Sequence, residues 1–251
     1  MSLPSVIITR PNGQADYLLS ALQQQGYSTT HFPLMDIVPV ADDAQAVALR
    51  AIVQNTDQYA VIVVVSINAA EHGLRWLDNY WPQYPVGIDW IAVGPSTAEV
   101  LEKAGLSVHC PENSFDTEGM LTLDCLHADK ITGKKVLLWR GVGGRETLAS
   151  TLRAQGAKVD YAEFYQREDR VHSPAQWQQA LANKPVLMLS SSQQIEIACQ
   201  QVADIAQRIR LLIVPTERSA RIAKENGFTQ VVAAASARDD DMLAALVANT
   251  Q

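Results

Sequence analysis

Short runs of β-branched and aliphatic residues recur along this chain, and between them apolar positions repeat every three or four residues. Val6–Thr9, Ala60–Val65, Trp90–Val93, Val136–Trp139, Val186–Leu189 and Leu211–Val214 are apolar on both faces, as strands buried in parallel sheets must be. The segments Gln14–Gln25, Ile67–Leu77, Ser96–Ala104, Arg145–Gln155, Gln193–Ala203 and Ser219–Asn226 follow them with helical spacing. Gly26, Gly105, Gly156 and Gly227 each stand just past such a segment, where a left-handed helix cap favours glycine. Strand and helix in alternation predict doubly wound α/β structure.

The pattern also repeats itself. Val6–Gly26 reappears as Val136–Gly156, so that Arg10 pairs with Arg140, Gly13 with Gly143, Leu18 with Leu148 and Leu22 with Leu152 at a constant offset of 130. Ala98, Gly105, Ser114 and Met120-Leu121 are echoed at an offset of 122 by Ala220, Gly227, Ser236 and Met242-Leu243. A chain of 251 residues accommodates two domains of ordinary size, and the repeat points to two related lobes with a cleft between them. Two extended segments, 31–40 and 159–167, occupy equivalent places after the first βα unit of each repeat. Pro33 and Pro39 bar the first from the centre of a sheet. The pair reads either as a two-strand connection between lobes or as two edge strands.

Bulk composition narrows the classes. A formal charge of −7 disfavours a general nucleic-acid binder, although an acidic average can hide one basic cleft. Cys110, Cys125 and Cys199 are odd in number and lack CxxC spacing, which fits a reducing compartment without a disulfide framework. The longest bulky apolar run, Ala60–Val65, is far short of a membrane span, and no basic region precedes an apolar stretch at the amino end. These features lead to the expectation of a soluble, cytoplasmic protein.

Candidate chemistry is defined partly by what is missing. The sequence has no HExxH, no GxSxG, no P-loop lysine and no metal-spaced cluster of histidines and cysteines. Gly141-Val142-Gly143-Gly144 resembles a dinucleotide fingerprint, but Glu146 stands where the third glycine belongs, so a nicotinamide oxidoreductase is a minor reading. Present instead are small hydroxyls at strand-to-helix junctions: Ser66, Thr97, Ser190-Ser191-Ser192 and Ser219. Ligands of open α/β sheets bind at these carboxyl ends, where helix N-termini favour anions. Ordinary N-capping is the better account of any one of these hydroxyls, whereas four junctions repeated across two lobes make an anion-binding cleft a fair competitor. Arg10 and Arg140 end equivalent strands and could hold a carboxylate bidentately or brace the fold. Asp239-Asp240-Asp241 reads as the start of the last helix.

The ordered set Ile8-Thr9-Arg10-Pro11, Phe32-Pro33-Leu34, Ser66-Ile67-Asn68-Ala69, Val93-Gly94-Pro95-Ser96-Thr97-Ala98, Arg140-Gly141-Val142-Gly143-Gly144-Arg145-Glu146 and Tyr165-Gln166-Arg167 resembles the uroporphyrinogen-III synthase family, in its bacterial branch. The likeness spans essentially the whole chain. It implies two similar flavodoxin- or Rossmann-like lobes joined by a two-strand linker. Residues 1–36 plus 169–251 would form a terminal lobe, 40–163 a middle lobe, and 33–40 and 161–168 the linkers. It further implies a cofactor-independent lyase that dehydrates and cyclises hydroxymethylbilane, inverting ring D, to give uroporphyrinogen III. On that resemblance Tyr165 is the general acid. Ser66, Thr97, Ser191, Ser219, Arg10, Arg140 and Arg145 would contact substrate. Ser219 departs from the threonine frequent at its place, which puts its role in doubt. A monomer receiving substrate from the preceding bilane-forming enzyme is expected, with no metal, nucleic acid or membrane involved. The competing expectation is a two-lobe polyanion-binding protein without catalysis.

Overall fold

The structure is a computed structural model that describes residues 3–40 and 43–250. The chain begins with β1 (Val6–Ile8), α1 (Asp16–Gln24), β2 (Thr29–His31) and β3 (Met35–Pro39). Next come α2 (Asp43–Gln54), β4 (Val61–Val64), α3 (Ile67–Tyr80), β5 (Asp89–Ala92), α4 (Pro95–Lys103) and β6 (Val108–His109). After α5 (Thr117–Met120) and α6 (Ala128–Ile131) follow β7 (Lys135–Gly141), α7 (Thr147–Ala154) and β8 (Lys158–Asp169). The last third comprises α8 (Pro174–Ala180), β9 (Val186–Met188), α9 (Ser192–Gln201), α10 (Ile205–Arg208) and β10 (Leu211–Val214). It closes with α11 (Glu217–Glu225), β11 (Val231–Ala233) and α12 (Asp239–Ala248).

These elements form two compact units, residues 1–36 with 168–251 and residues 37–167. The first contains a five-stranded sheet ordered β11-β10-β9-β1-β2, and a six-stranded sheet ordered β3-β8-β7-β4-β5-β6 belongs to the second. Within the first, β1 runs parallel to β2 and β9, and β10 to β9 and β11. Within the second, β4 runs parallel to β5 and β7, β5 to β6, and β7 to β8. The repeat is visible in the register itself: Val6 pairs with Thr29 as Val136 pairs with Val159. Strands β1 and β2 complete a sheet with β9–β11 from the far end of the chain, whereas β7 and β8 complete one with β4–β6.

Alternation along each strand builds a core on both sheet faces. Ile7, Leu187 and Leu212 face one core of the first unit, and Val6, Ile8, Val186 and Ile213 face the other. In the second unit Ile62, Val64, Leu137 and Trp139 face one side, and Val61, Val63, Val136 and Leu138 the opposite one. Each such side chain contributes about 1.5–3 kcal/mol when fully buried. Gly26, Gly105, Gly156 and Gly227 share φ values between +87° and +90°, the left-handed conformation expected of them as helix caps.

The sequence pattern missed several elements. Among the described side chains of helix α2 only Leu49 and Val53 are buried, so its periodic signal is thin. Strands β6 and β11 span two and three residues, too few for alternation to register. Among the described residues no helix is long and apolar enough to cross a membrane.

Candidate functional site

A cavity of about 420 Å³ opens in the second unit at the carboxyl ends of its strands. Ser66 reaches it because β4 ends at Val64 and the chain turns into α3. Its Oγ accepts the Ala69 backbone N–H at 3.1 Å, capping that helix. The same Oγ lies 3.0 Å from the Tyr165 hydroxyl.

Tyr165 is placed by an irregularity in β8. Arg140 pairs with Glu163, yet the next residue, Gly141, pairs with Tyr165. One residue of β7 thus faces two of β8, a bulge that re-aims the side chain. The phenol ring then lies directly on Gly141, where an added Cβ would stand 2.6 Å from Tyr165 Cε2. Tyr165 is only 1% exposed, and the His72 ring stacks near it at 5.8 Å between centroids. Burial, and then the Arg75 charge, push the His72 pKa down, which keeps that imidazole neutral.

The glycine loop after β7 wraps around Arg140. Arg140 Nη1 bonds Glu146 at 3.0 Å, Nε lies 3.6 Å from Glu163, and Nη2 donates to the Gly143 carbonyl. A Cβ on Gly144, whose φ is +111°, would meet Arg140 Nη2 at 2.9 Å. The Tyr161 hydroxyl donates to the other oxygen of Glu146, and the Arg140 guanidinium lies 4.8 Å from the Tyr161 ring centroid. Tyr161, followed by Arg140, holds the Glu146 carboxyl below its ordinary range. The protein's own guanidinium thus packs against this turn, whose Gly141, Gly143 and Gly144 also line the cavity.

Of the sequence-predicted residues, Ser66, Tyr165, Arg140 and Arg145 line this one cavity. Arg145 is exposed and, among the described residues, has no ion-pair partner. Thr97 is buried at the third position of α4, outside the cavity lining. Ser191, Ser219 and Arg10 belong to the other unit. Ser191 caps α9 through the Gln194 N–H. Ser219 holds the position in α11 that Thr97 holds in α4, while the cap of α11 is Thr216. The Ser219 hydroxyl lies 3.1 Å from those of both Ser192 and Thr216. Arg10 is taken up by Asp239 at 2.7 Å and the Ala237 carbonyl at 2.5 Å, tying β1 to α12. Burial raises the Asp239 pKa, with Arg10 opposing. Sequence left Arg10 and Arg140 open between carboxylate ligand and brace; in the structure both make ion pairs within the protein.

Among the lining residues not predicted as site residues from sequence are Arg167, Phe115 and Asp116. Arg167 lies two residues beyond Tyr165 on the same strand, so period-two alternation could have found it. Its guanidinium lies 5.9 Å from the Tyr165 ring centroid. Phe115 and Asp116 sit in a loop without periodicity, and nothing in the sequence marked them. Among the described residues no group of three or more His, Cys, Asp and Glu side chains could hold a metal ion.

Fold and cavity together define a class: duplicated, doubly wound α/β proteins with a cation-bearing pocket at the carboxyl ends of one parallel sheet. A family model described as uroporphyrinogen-III synthase HemD matches residues 16–244, and the chain belongs to that family. A relative named uroporphyrinogen-III synthase, from Escherichia coli, is 29% identical over 252 residues, covering 96% of this chain and 99% of that protein. Another of that name, from Proteus mirabilis, is 34% identical over 164 residues, covering 65% and 80%. The fold is also that of two solved structures. A uroporphyrinogen-III synthetase from Helicobacter pylori has a TM-score of 0.62 at 13% identity, covering 98% of this chain and 99% of that one. A mutant uroporphyrinogen III synthase from Thermus thermophilus has a TM-score of 0.58 at 15% identity, covering 96% of each chain.

Proposed function

We propose that this chain closes hydroxymethylbilane to uroporphyrinogen III with Tyr165 as the general acid, at the cavity that Tyr165 shares with Ser66. Membership of the family makes the chain a cyclising lyase. The pairing of a phenol with a serine hydroxyl at 3.0 Å carries the assignment of the acid.

The Ala69 N–H already occupies one lone pair of Ser66 Oγ. Ser66 can therefore donate its own proton to the Tyr165 oxygen, leaving the phenolic proton free to turn toward the substrate. Phenols are protonated at neutral pH and can donate. The pyrrole nitrogen's lone pair expels the terminal hydroxyl, which takes that proton and leaves as water. No redox or metal step is required, because the electron-rich ring supplies the electron pair. The azafulvene so formed is attacked by the substituted carbon of ring D, and the spiro intermediate reopens and closes with that ring inverted. Free in water the same electrophile closes without inversion, so the protein's main task is orientation.

Arg145 and Arg167, exposed at the cavity, are proposed to hold substrate carboxylates in bidentate fashion. Thr97, Ser191 and Ser219 are proposed to contact the remainder of the tetrapyrrole, which exceeds the cavity. Arg10 and Arg140 act indirectly, by bracing. A cytoplasmic monomer supplied by the bilane-forming enzyme completes the proposal. The ready closure of free hydroxymethylbilane makes direct hand-over advantageous.

The test is the isomer ratio. Protein added to freshly made hydroxymethylbilane should shift the product from isomer I to isomer III on chromatography. Tyr165→Phe should lower turnover by about a hundredfold or more with an unchanged circular dichroism spectrum. Full activity in that variant would remove the acid role. A polyanion binder without chemistry, the reading the family does not favour, would leave isomer I as the sole product.

A further inference from the structure

One wall of the cavity is unused by the mechanism above: an aromatic ring that is 49% exposed, Phe115, followed by the carboxylate of Asp116. We propose that Phe115 and Asp116 seat the reacting pyrrole ring, Phe115 stacking on its face and Asp116 accepting its N–H, so that together they stabilise the positive charge formed as the hydroxyl leaves. This rests on the synthase reading of the cavity.

An exposed aromatic face lining a cavity offers a surface on which a flat ring can stack. Phe115 is held there by the absence of a side chain at Gly94, where an added Cβ would stand 3.2 Å from its own Cβ. Gly94 follows β5 and Ser66 follows β4, which are paired neighbours, so Phe115 and the Tyr165–Ser66 pair border the same cavity from adjacent strand ends.

Charge points the same way. Arg140, Arg145 and Arg167 line the cavity, and Asp116 is the only acidic residue among its lining residues. The Gly119 N–H bonds its Oδ1 at 2.9 Å. That bond and the Ser114 hydroxyl lower its pKa, so the group stays ionised. A carboxylate has further lone pairs to offer.

The step balances within the residues named. The bond from the methylene carbon to oxygen breaks with its electron pair on oxygen, which takes the Tyr165 proton and departs as water. The ring nitrogen's lone pair becomes the new double bond, leaving an N–H cation beside Asp116 and over Phe115. After closure and inversion the ring system loses a proton, which restores the phenol. A neutral pyrrole N–H gains less from a carboxylate and a π face than the cation does. The interaction is therefore stronger in the transition state than in the bound substrate, as catalysis requires.

Steady-state kinetics on the full chain decides the matter, with Asp116→Asn, Phe115→Leu, Phe115→Tyr and wild type compared on hydroxymethylbilane. Asparagine still caps α5, so the first variant removes charge while keeping the fold; Asp116→Ser replaces it if folding fails. Asp116→Asn and Phe115→Leu should each lower kcat about tenfold or more, with KM changed less than about threefold. Phe115→Tyr, which keeps the π face, should stay near wild type. Values of kcat within about twofold of wild type, or losses confined to KM, would overturn the cation seat while leaving the synthase reading intact. Wild-type protein that produces only isomer I would overturn both.

Discussion

At the scale of single residues, Gly141 governs where the Tyr165 phenol sits. Its lack of a Cβ lets the Tyr165 ring lie against the backbone of β7, and the bulge between Arg140 and Gly141 puts the two opposite one another. Alanine there would overlap the ring by more than side-chain adjustment absorbs. Gly141→Ala should move the phenol away from Ser66 and reduce turnover as far as Tyr165→Phe does, with a stability loss of about 1–3 kcal/mol from overpacking. Turnover assays and thermal unfolding on the same preparation would check both, and an unchanged rate would show that the ring need not lie there. Sequence named Tyr165 through its resemblance to a family, not through any local signal. The fates of Arg10 and Arg140 were not readable, because a guanidinium's partner is set by the loop that closes over it. For Arg140 that loop is its own glycine turn; for Arg10 it is the start of α12.

At the scale of elements, the turn between β7 and α7 is a lock built on one carboxylate. Glu146 takes hydrogen bonds from Tyr161 and Arg140, with Arg153 3.9 Å away. Its folded-state pKa is depressed, chiefly by Tyr161. A depressed carboxyl contributes stability that is present above its unfolded value and lost as pH falls through its folded one. The turn carrying Arg145 should therefore loosen on acidification to below the usual carboxylate range. Thermal midpoints followed downward through that range should fall less steeply in Glu146→Gln than in wild type, since the amide has no proton to take up. Parallel slopes would mean the lock adds no pH dependence. Glu146 is exposed, so the difference should be small. The long buried strands and their helices were legible because four or more apolar residues in a row leave little alternative. Short β6 and β11 were not, since pairing with a neighbour rather than their own pattern makes them strands.

At the scale of the whole molecule, duplication has been kept in the scaffold and broken in the chemistry. Ser66 and Ser191 each cap the helix after equivalent strands, and Thr97 and Ser219 are each buried at the third position of equivalent helices. Yet at the offset of 130 residues Tyr165 corresponds to Met35, and Gly141 to Pro11. The proposed acid and the surface it rests on thus exist in one unit alone. The sequence period could show that the chain is doubled but not which strands pair, because a tandem and an exchanged arrangement share the same period. Exchange has a consequence for folding. Residues 37–167 contain β4–β7 and nearly all of β8, together with both core faces of their unit. Residues 168–251 lack β1, whose Val6, Ile7 and Ile8 are at most 1% exposed between β9 and β2. At about 1.5–3 kcal/mol for each buried side chain, losing that strand removes an amount comparable with the ~5–15 kcal/mol by which whole domains are stable. A fragment of residues 37–167 should unfold in one cooperative thermal transition by circular dichroism, while 168–251 should show none until residues 1–36 are joined to it through a short linker. Cooperative unfolding of 168–251 by itself would mean that β1 is dispensable and that the exchanged strand pair decorates a core already complete without it.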